Sequence, residues 1–290
     1  MNIGVTAPER QRSMNLFDGR ALAWSEWGPV DGVPALFCTG AAMSGSLAFG
    51  ADALADLGLR LIAVDRPGLG RSDAHSNKTL SSWGDDAKQL IATMGLHDTL
   101  AIGFSQGTPF ALALAGNDVV KAAAIVSGQD ELAHACMARF LDPQVADLIR
   151  AIQKDSAGFE QTFAKVASPQ ALWDLIVGMS SERDRALYLS AEFKEPYQRC
   201  LSEGFAQGRH GYVRDLVNAF GPWPVAPERI AIPIDLWYGR LDTSTVHSPD
   251  FGATLASRLC NASITVYPNE GASILWTRAS EILTRLKSRV

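Results

Sequence analysis

Short apolar runs alternate along this chain with longer stretches of helical periodicity. Val33 to Cys38, Arg60 to Val64, Leu100 to Ile102, Lys121 to Val126, Pro233 to Gly239 and Ser263 to Tyr267 are the runs. They read as strands buried on both faces, which have no solvent side and so need no alternating polar positions. Between them, Ser46 to Gly58, Leu80 to Gly95, Thr108 to Ala115, Pro249 to Leu259 and Thr277 to Arg289 read as helices. In the second of these, Trp83, Ala87, Leu90, Ile91 and Met94 share one helical face. Pro109 falls in a first helical turn, where its missing N–H costs nothing. Ahead of the alternation, Met14–Phe17 and Arg20–Trp27 flank Asp18-Gly19, a two-residue hairpin signal. The order strand–helix–strand–helix implies an α/β fold with a mostly parallel sheet covered by helices on both sides.

Residues 131–222 break this rhythm. They keep helical periodicity but lose the strand-like runs, and Pro143, Pro169 and Pro196 mark helix starts or breaks. Pro222, Pro224 and Pro227 form a stiff exit. The expected organisation is a core from 1–130 and 223–290, with 131–222 inserted as a helical cap. Ligands of a parallel sheet collect at the carboxyl ends of its strands, so an insertion emerging there would cover the pocket.

Composition narrows the function classes. A chain of 290 residues, 47% hydrophobic and 20% charged, supports one large core with or without a small accessory domain. A net charge of −5 argues against nucleic acid as a partner. No run approaches the roughly 18–20 apolar residues of a membrane span. The polar stretch Met1–Ser13 carries Glu9, Arg10 and Arg12 and does not read as a secretory signal. Cys38, Cys136, Cys200 and Cys260 are scattered, with no Cys-x-x-Cys pair, so neither a disulfide framework nor a zinc site is expected. A reduced, cytoplasmic setting follows from that usage. The expected partner is a small-molecule substrate, without nucleic acid or membrane.

The strongest chemical signal is Gly103-Phe104-Ser105-Gln106-Gly107, between a buried strand and a packed helix. Gly-x-Ser-x-Gly in that context is a nucleophile elbow, a tight turn that lifts one serine hydroxyl clear of the sheet. A Cβ at 103 or 107 would collide with the other arm of the turn, and Ser105 is expected in a strained conformation.

Together with Asp65-Arg66-Pro67-Gly68-Leu69-Gly70-Arg71-Ser72-Asp73 and Tyr238-Gly239-Arg240-Leu241-Asp242, this elbow makes the chain resemble the α/β-hydrolase family over nearly its whole length. The resemblance implies a mostly parallel eight-stranded sheet with an inserted helical cap, and a nucleophile, acid and histidine in that order along the chain. Ser105 is then the nucleophile and Asp242 the acid, with Asp130 as a fallback acid that reads more simply as the start of the cap. A serine hydroxyl needs a base to take its proton. The family places that histidine after the last strand, where this chain reads Gly271-Ala272. The five histidines are His75, His97, His134, His210 and His247, and none follows that strand. His247 reads as a polar residue near a helix start, His75 as an entrance residue, His97 and His134 as surface or cap residues, and His210 as part of the cap. Ala272 is therefore expected to mark a missing base, either an alanine placed there to inactivate the enzyme or a natural loss. The intact surroundings favour the former.

The resemblance also implies two backbone donors for a developing oxyanion. One is Gln106. The other is Ala41, in Cys38-Thr39-Gly40-Ala41, where Thr39 replaces the family's usual histidine. A serine nucleophile distinguishes this chain from relatives that use aspartate, the dehalogenases and most epoxide hydrolases. The expected function is hydrolysis of an ester, lactone or related acyl bond of a small, partly apolar molecule through an acyl-enzyme, impaired by Ala272, with no cofactor and no metal. The alternatives are a non-catalytic binding protein or receptor for a small ligand, and a carbon–carbon bond hydrolase.

Overall fold

The computed structural model describes residues 3–290, so the first two residues of the polar N-terminal stretch lie outside it. Eight strands form one sheet: β1 (Arg10–Asn15), β2 (Ala21–Trp27), β3 (Val33–Cys38), β4 (Leu59–Val64), β5 (Leu100–Phe104), β6 (Ala123–Val126), β7 (Ile234–Gly239) and β8 (Ala262–Tyr267). Their spatial order is β1-β2-β4-β3-β5-β6-β7-β8. β1 and β2 pair antiparallel, as do β2 and β4. Every other pairing is parallel.

Side chains that alternate along each strand feed two separate apolar clusters, one on each sheet face. In β3, Ala35 and Phe37 enter one cluster while Leu36 and Cys38 enter the other. In β5, Leu100, Ile102 and Phe104 face the first and Ala101 the second. This double burial is why β3, β5 and β6 carry no polar side chains.

The helices are α1 (Leu54–Leu57), α2 (Leu80–Met94), α3 (Thr108–Gly116), α4 (Pro143–Lys154), α5 (Ser156–Phe163), α6 (Pro169–Met179), α7 (Glu182–Tyr188), α8 (Ala191–Gly204), α9 (His210–Phe220), α10 (Ala253–Arg258), α11 (Ile274–Thr277) and α12 (Ala279–Lys287). Thr79 and Ser82 cap α2 reciprocally, each side chain accepting from the other's backbone N–H. α3 is buried from Thr108 to Ala115, as befits a helix packed under the sheet.

Several elements differ from expectation. The stretch expected as a helix over Ser46–Gly58 is mostly turns, and only Leu54–Leu57 is helical. Gly50 sits at φ +57° against Ala279 and Leu283 of α12, and the Ala51 N–H donates to the Gly4 carbonyl. Tertiary contacts thus hold that segment in a non-helical path. The first hairpin closes through Leu16–Arg20, with the Leu16 N–H donating to the Arg20 carbonyl, and not through a two-residue turn. Pro143 and Pro169 start helices, whereas Pro196 lies inside α8. The last helical stretch is split at Arg278 into α11 and α12.

Helices α4 to α9 all lie between β6 and β7 in the chain. Polar contacts join them to the sheet loops. The Asp184 carboxylate accepts from the Ser273 N–H at 2.8 Å, and Glu203 from the Ser44 hydroxyl at 2.8 Å. Asp215, fully buried on α9, pairs with Arg66 at 2.9 Å and Lys78 at 2.6 Å. Trp276 of α11 packs edge-on against Phe104 at the end of β5 and against Phe193 of α8.

Candidate active site

Ser105 follows directly on β5, at the sharp turn into α3, and has φ +51°. A non-glycine residue in that region is strained, and the surrounding packing has to hold it there. The two glycines allow the approach. A Cβ on Gly103 would come within 2.8 Å of the Ala111 side chain and 3.1 Å of the Gly107 carbonyl. A Cβ on Gly107 would overlap the Cys38 carbonyl at the end of β3, so this glycine is required by the neighbouring strand more than by its own turn.

The expectation that no base accompanies Ser105 is corrected by the geometry. His247 places Nε2 2.8 Å from the Ser105 hydroxyl and Nδ1 2.7 Å from the Asp242 carboxylate. With the proton on Nδ1, the imidazole donates to Asp242 and accepts from Ser105, and both bonds are satisfied. The other Asp242 oxygen accepts from the Ser244 N–H at 2.9 Å. Position 272 is accordingly no gap in the hydrogen-bond chain. Ala272 lines the cavity, and its carbonyl accepts from the Ser127 hydroxyl at 2.9 Å.

The path of one loop explains this. β7 lies two places from β5 in the sheet, with β6 between them. After Asp242 the chain runs back over the end of β6, where the Ser248 N–H donates to the Gly128 carbonyl at 2.9 Å. The Ser248 hydroxyl lies 3.3 Å from the Asp130 carboxylate and 3.0 Å from that of Asp250, and it accepts from the Gly252 N–H at 2.9 Å. These contacts carry His247 across to Ser105. Asp130, the fallback acid, thus anchors this loop and has no bond to the imidazole. Its carboxyl is pushed up to about 6, mainly by burial, with Asp250 adding to the shift.

One signal in the sequence could have identified His247. It is the sole histidine C-terminal to Asp242, so the order serine, acid, histidine is kept with a short final interval. His75 and His210 line a separate surface pocket with Lys78 and Arg214, and His134 pairs with Cys136 on the surface.

Ala41 and Gln106 both border the cavity beside Ser105. Gln106 is at the N-terminal end of the turn leading into α3, where backbone N–H groups lack intrahelical partners. The loop bearing Ala41 is held from below by Arg66, which donates to the Thr39 carbonyl at 2.6 Å and the Gly40 carbonyl at 3.0 Å. The cavity measures about 340 Å³, and its walls are largely apolar side chains from α4 to α9. The cysteines are all free, and burial pushes the Cys38 and Cys200 thiols up to about 12. Among the described residues, no helix is long and apolar enough to cross a membrane.

A family model described as the alpha/beta hydrolase fold matches residues 34–278. Solved structures similar in fold include a probable hydrolytic enzyme from Pseudomonas aeruginosa, at TM-score 0.71 and 18% identity, covering 99% of this chain and 96% of that one. A thermophilic esterase from Thermogutta terrifontis matches at TM-score 0.69 and 15% identity, covering 96% of this chain and 97% of its own. An N-acyl homoserine lactone degrading enzyme matches at TM-score 0.62 and 18% identity, covering 96% of this chain and all of the other (100%).

Proposed function

We propose that this chain, which belongs to the alpha/beta hydrolase fold family, is a working serine hydrolase that cleaves an ester or lactone of a small, partly apolar molecule. The observation that carries this reading is the unbroken line from the Ser105 hydroxyl through His247 to Asp242, at 2.8 and 2.7 Å. Its place at the carboxyl end of β5, beneath a largely apolar cavity, agrees with it.

The chemistry follows from the atoms. As Ser105 Oγ attacks the acyl carbonyl, His247 Nε2 takes its proton, and Asp242 stabilises the imidazolium and keeps it oriented. The N–H groups of Gln106 and Ala41 receive the negative charge that develops on the carbonyl oxygen. Collapse of the tetrahedral intermediate expels the alkoxide, which takes the proton from His247. Water, deprotonated by the same imidazole, attacks the acyl-enzyme; collapse releases the acid, and His247 returns the proton to Ser105 Oγ. Residues 131–222 act in this reading as a cap that shields the acyl-enzyme from bulk water. The support for that role is that side chains of α4 to α9 wall the cavity.

The test is incubation with a fluorophosphonate and an aryl acetate. One phosphonyl group on Ser105, abolished in His247→Ala along with aryl acetate turnover, is the expected result. A protein that neither labels nor turns over, yet binds small apolar ligands, is a receptor, and the reading fails.

A further inference from the structure

Among the described residues, the walls of the cavity beside Ser105 carry no Asp, Glu, Lys or Arg side chain. A charged ligand group buried there would lose its hydration without gaining a counter-ion. Some wall polar groups already have protein partners. Gln129 donates its amide N–H to the Ala219 carbonyl at 2.9 Å, and the Ser180 hydroxyl donates to the Ile176 carbonyl at 2.7 Å.

Other wall groups are unpaired: Gln106 Oε1 is sealed in without a partner, and three tyrosines carry hydroxyls free of protein partners. Tyr188, Tyr197 and Tyr212 border the cavity and are only 2%, 3% and 4% exposed overall, and among the described residues their hydroxyls have no hydrogen-bond partner yet keep some accessible surface, so they open onto the cavity. A hydroxyl open to the cavity is free to donate, and a ligand oxygen that takes the place of water there preserves the bond. Burial also raises all three phenols, so they remain protonated donors. Their rings cannot easily turn away. Tyr188 and Tyr197 pack edge to face at 5.7 Å and both contact Trp276, which in turn abuts Phe104 beside the nucleophile. Tyr212 comes from α9 and is wedged against Phe163 and Phe205.

We propose that the pocket takes an uncharged ester or lactone whose apolar body bears further carbonyl or ether oxygens, and that these accept hydrogen bonds from Tyr188, Tyr197 and Tyr212. The ester or lactone part rests on the acyl-hydrolase reading of the site. The preference for a neutral, oxygen-bearing body rests on the cavity walls alone.

The experiment is a tryptophan-fluorescence titration of the full chain with three probes of similar size, none of them hydrolysable. They are 4-methoxyacetophenone, which is neutral with two acceptor oxygens, the anion 4-methoxybenzoate, and the hydrocarbon 4-ethyltoluene. The ketone is expected to bind at least tenfold more tightly than either of the others. Tyr188→Phe, Tyr197→Phe and Tyr212→Phe, singly and combined, are expected to weaken the ketone by about fivefold per hydroxyl engaged while leaving the hydrocarbon unchanged. No ketone binding, equal binding of the benzoate, or equal loss of both neutral probes in the triple variant overturns the inference. The wild-type comparison stands even if a variant fails to fold. Ketone binding without fluorophosphonate labelling defeats the hydrolase reading alone, and labelling without discrimination among the probes defeats this one alone.

Discussion

Asp242 and His247 are five positions apart in the chain, and the carboxylate of one lies 2.7 Å from Nδ1 of the other. Carboxylate and imidazole therefore arrive on a single loop, which is held by Ser248 over the end of β6 and by the Thr243 hydroxyl donating to the Met179 carbonyl. The loop after β8 is left to shape the cavity wall through Ala272.

Replacing His247 with alanine should cut kcat for an aryl acetate by about a millionfold, and Ser105→Ala should do the same, with the double variant no worse. Parallel steady-state assays of the three proteins check this. Additive losses would show that the two side chains do not act as a unit.

Ala272→His should bring no gain in turnover. In the proposed mechanism His247 already supplies the base, and an imidazole at 272 would take up cavity volume. A rise of tenfold or more in kcat on the same ester would return the role of base to position 272.

Asp130 gives a pH signature in stability. Burial raises its carboxyl from 3.8 to about 6. Its contribution is therefore present in full below the unfolded value and lost as pH rises through about 6. Asp130→Asn keeps the acceptor for the Glu131 N–H but does not titrate. The variant should gain on the wild type by about 2 kcal/mol between pH 4.5 and 7.5. Urea melts of both proteins at about pH 4.5 and 7.5 measure the gap, and a gap that stays constant contradicts the assignment.

Breaking the buried cluster at Asp215 should be costly. Asp215→Asn leaves Arg66 and Lys78, both within the protein, facing each other without a counter-ion. A loss of about 3–5 kcal/mol is expected. Arg66 also grips the Thr39 and Gly40 carbonyls, so kcat should fall more than KM rises in whatever folded protein remains. Denaturant melts and Michaelis kinetics separate the two effects.

Gly107→Ala should destabilise the fold by about 1–3 kcal/mol through overlap with the Cys38 carbonyl. A melt unchanged from wild type would show that β3 can move away from the elbow.

The sheet, the turn at Ser105 and the loop that carries Asp242 are legible in the sequence. Each of these is local: apolar runs with no polar face, glycines where two backbones touch, and a turn that forces Ser105 to positive φ. The sequence failed where distant contacts decide. Ser46–Gly58 has helical composition, but Gly50 wedged against α12 keeps most of it in turns. His247 carries no local mark of catalysis, and bonds such as those of Ser248 to Gly128 and Asp130 bring it within reach of Ser105. Spacing along a chain constrains neighbours within a turn or a strand. Which loop crosses which strand end is settled by packing between elements far apart in sequence, and on that crossing depends whether an imidazole lies within hydrogen-bonding reach of Ser105.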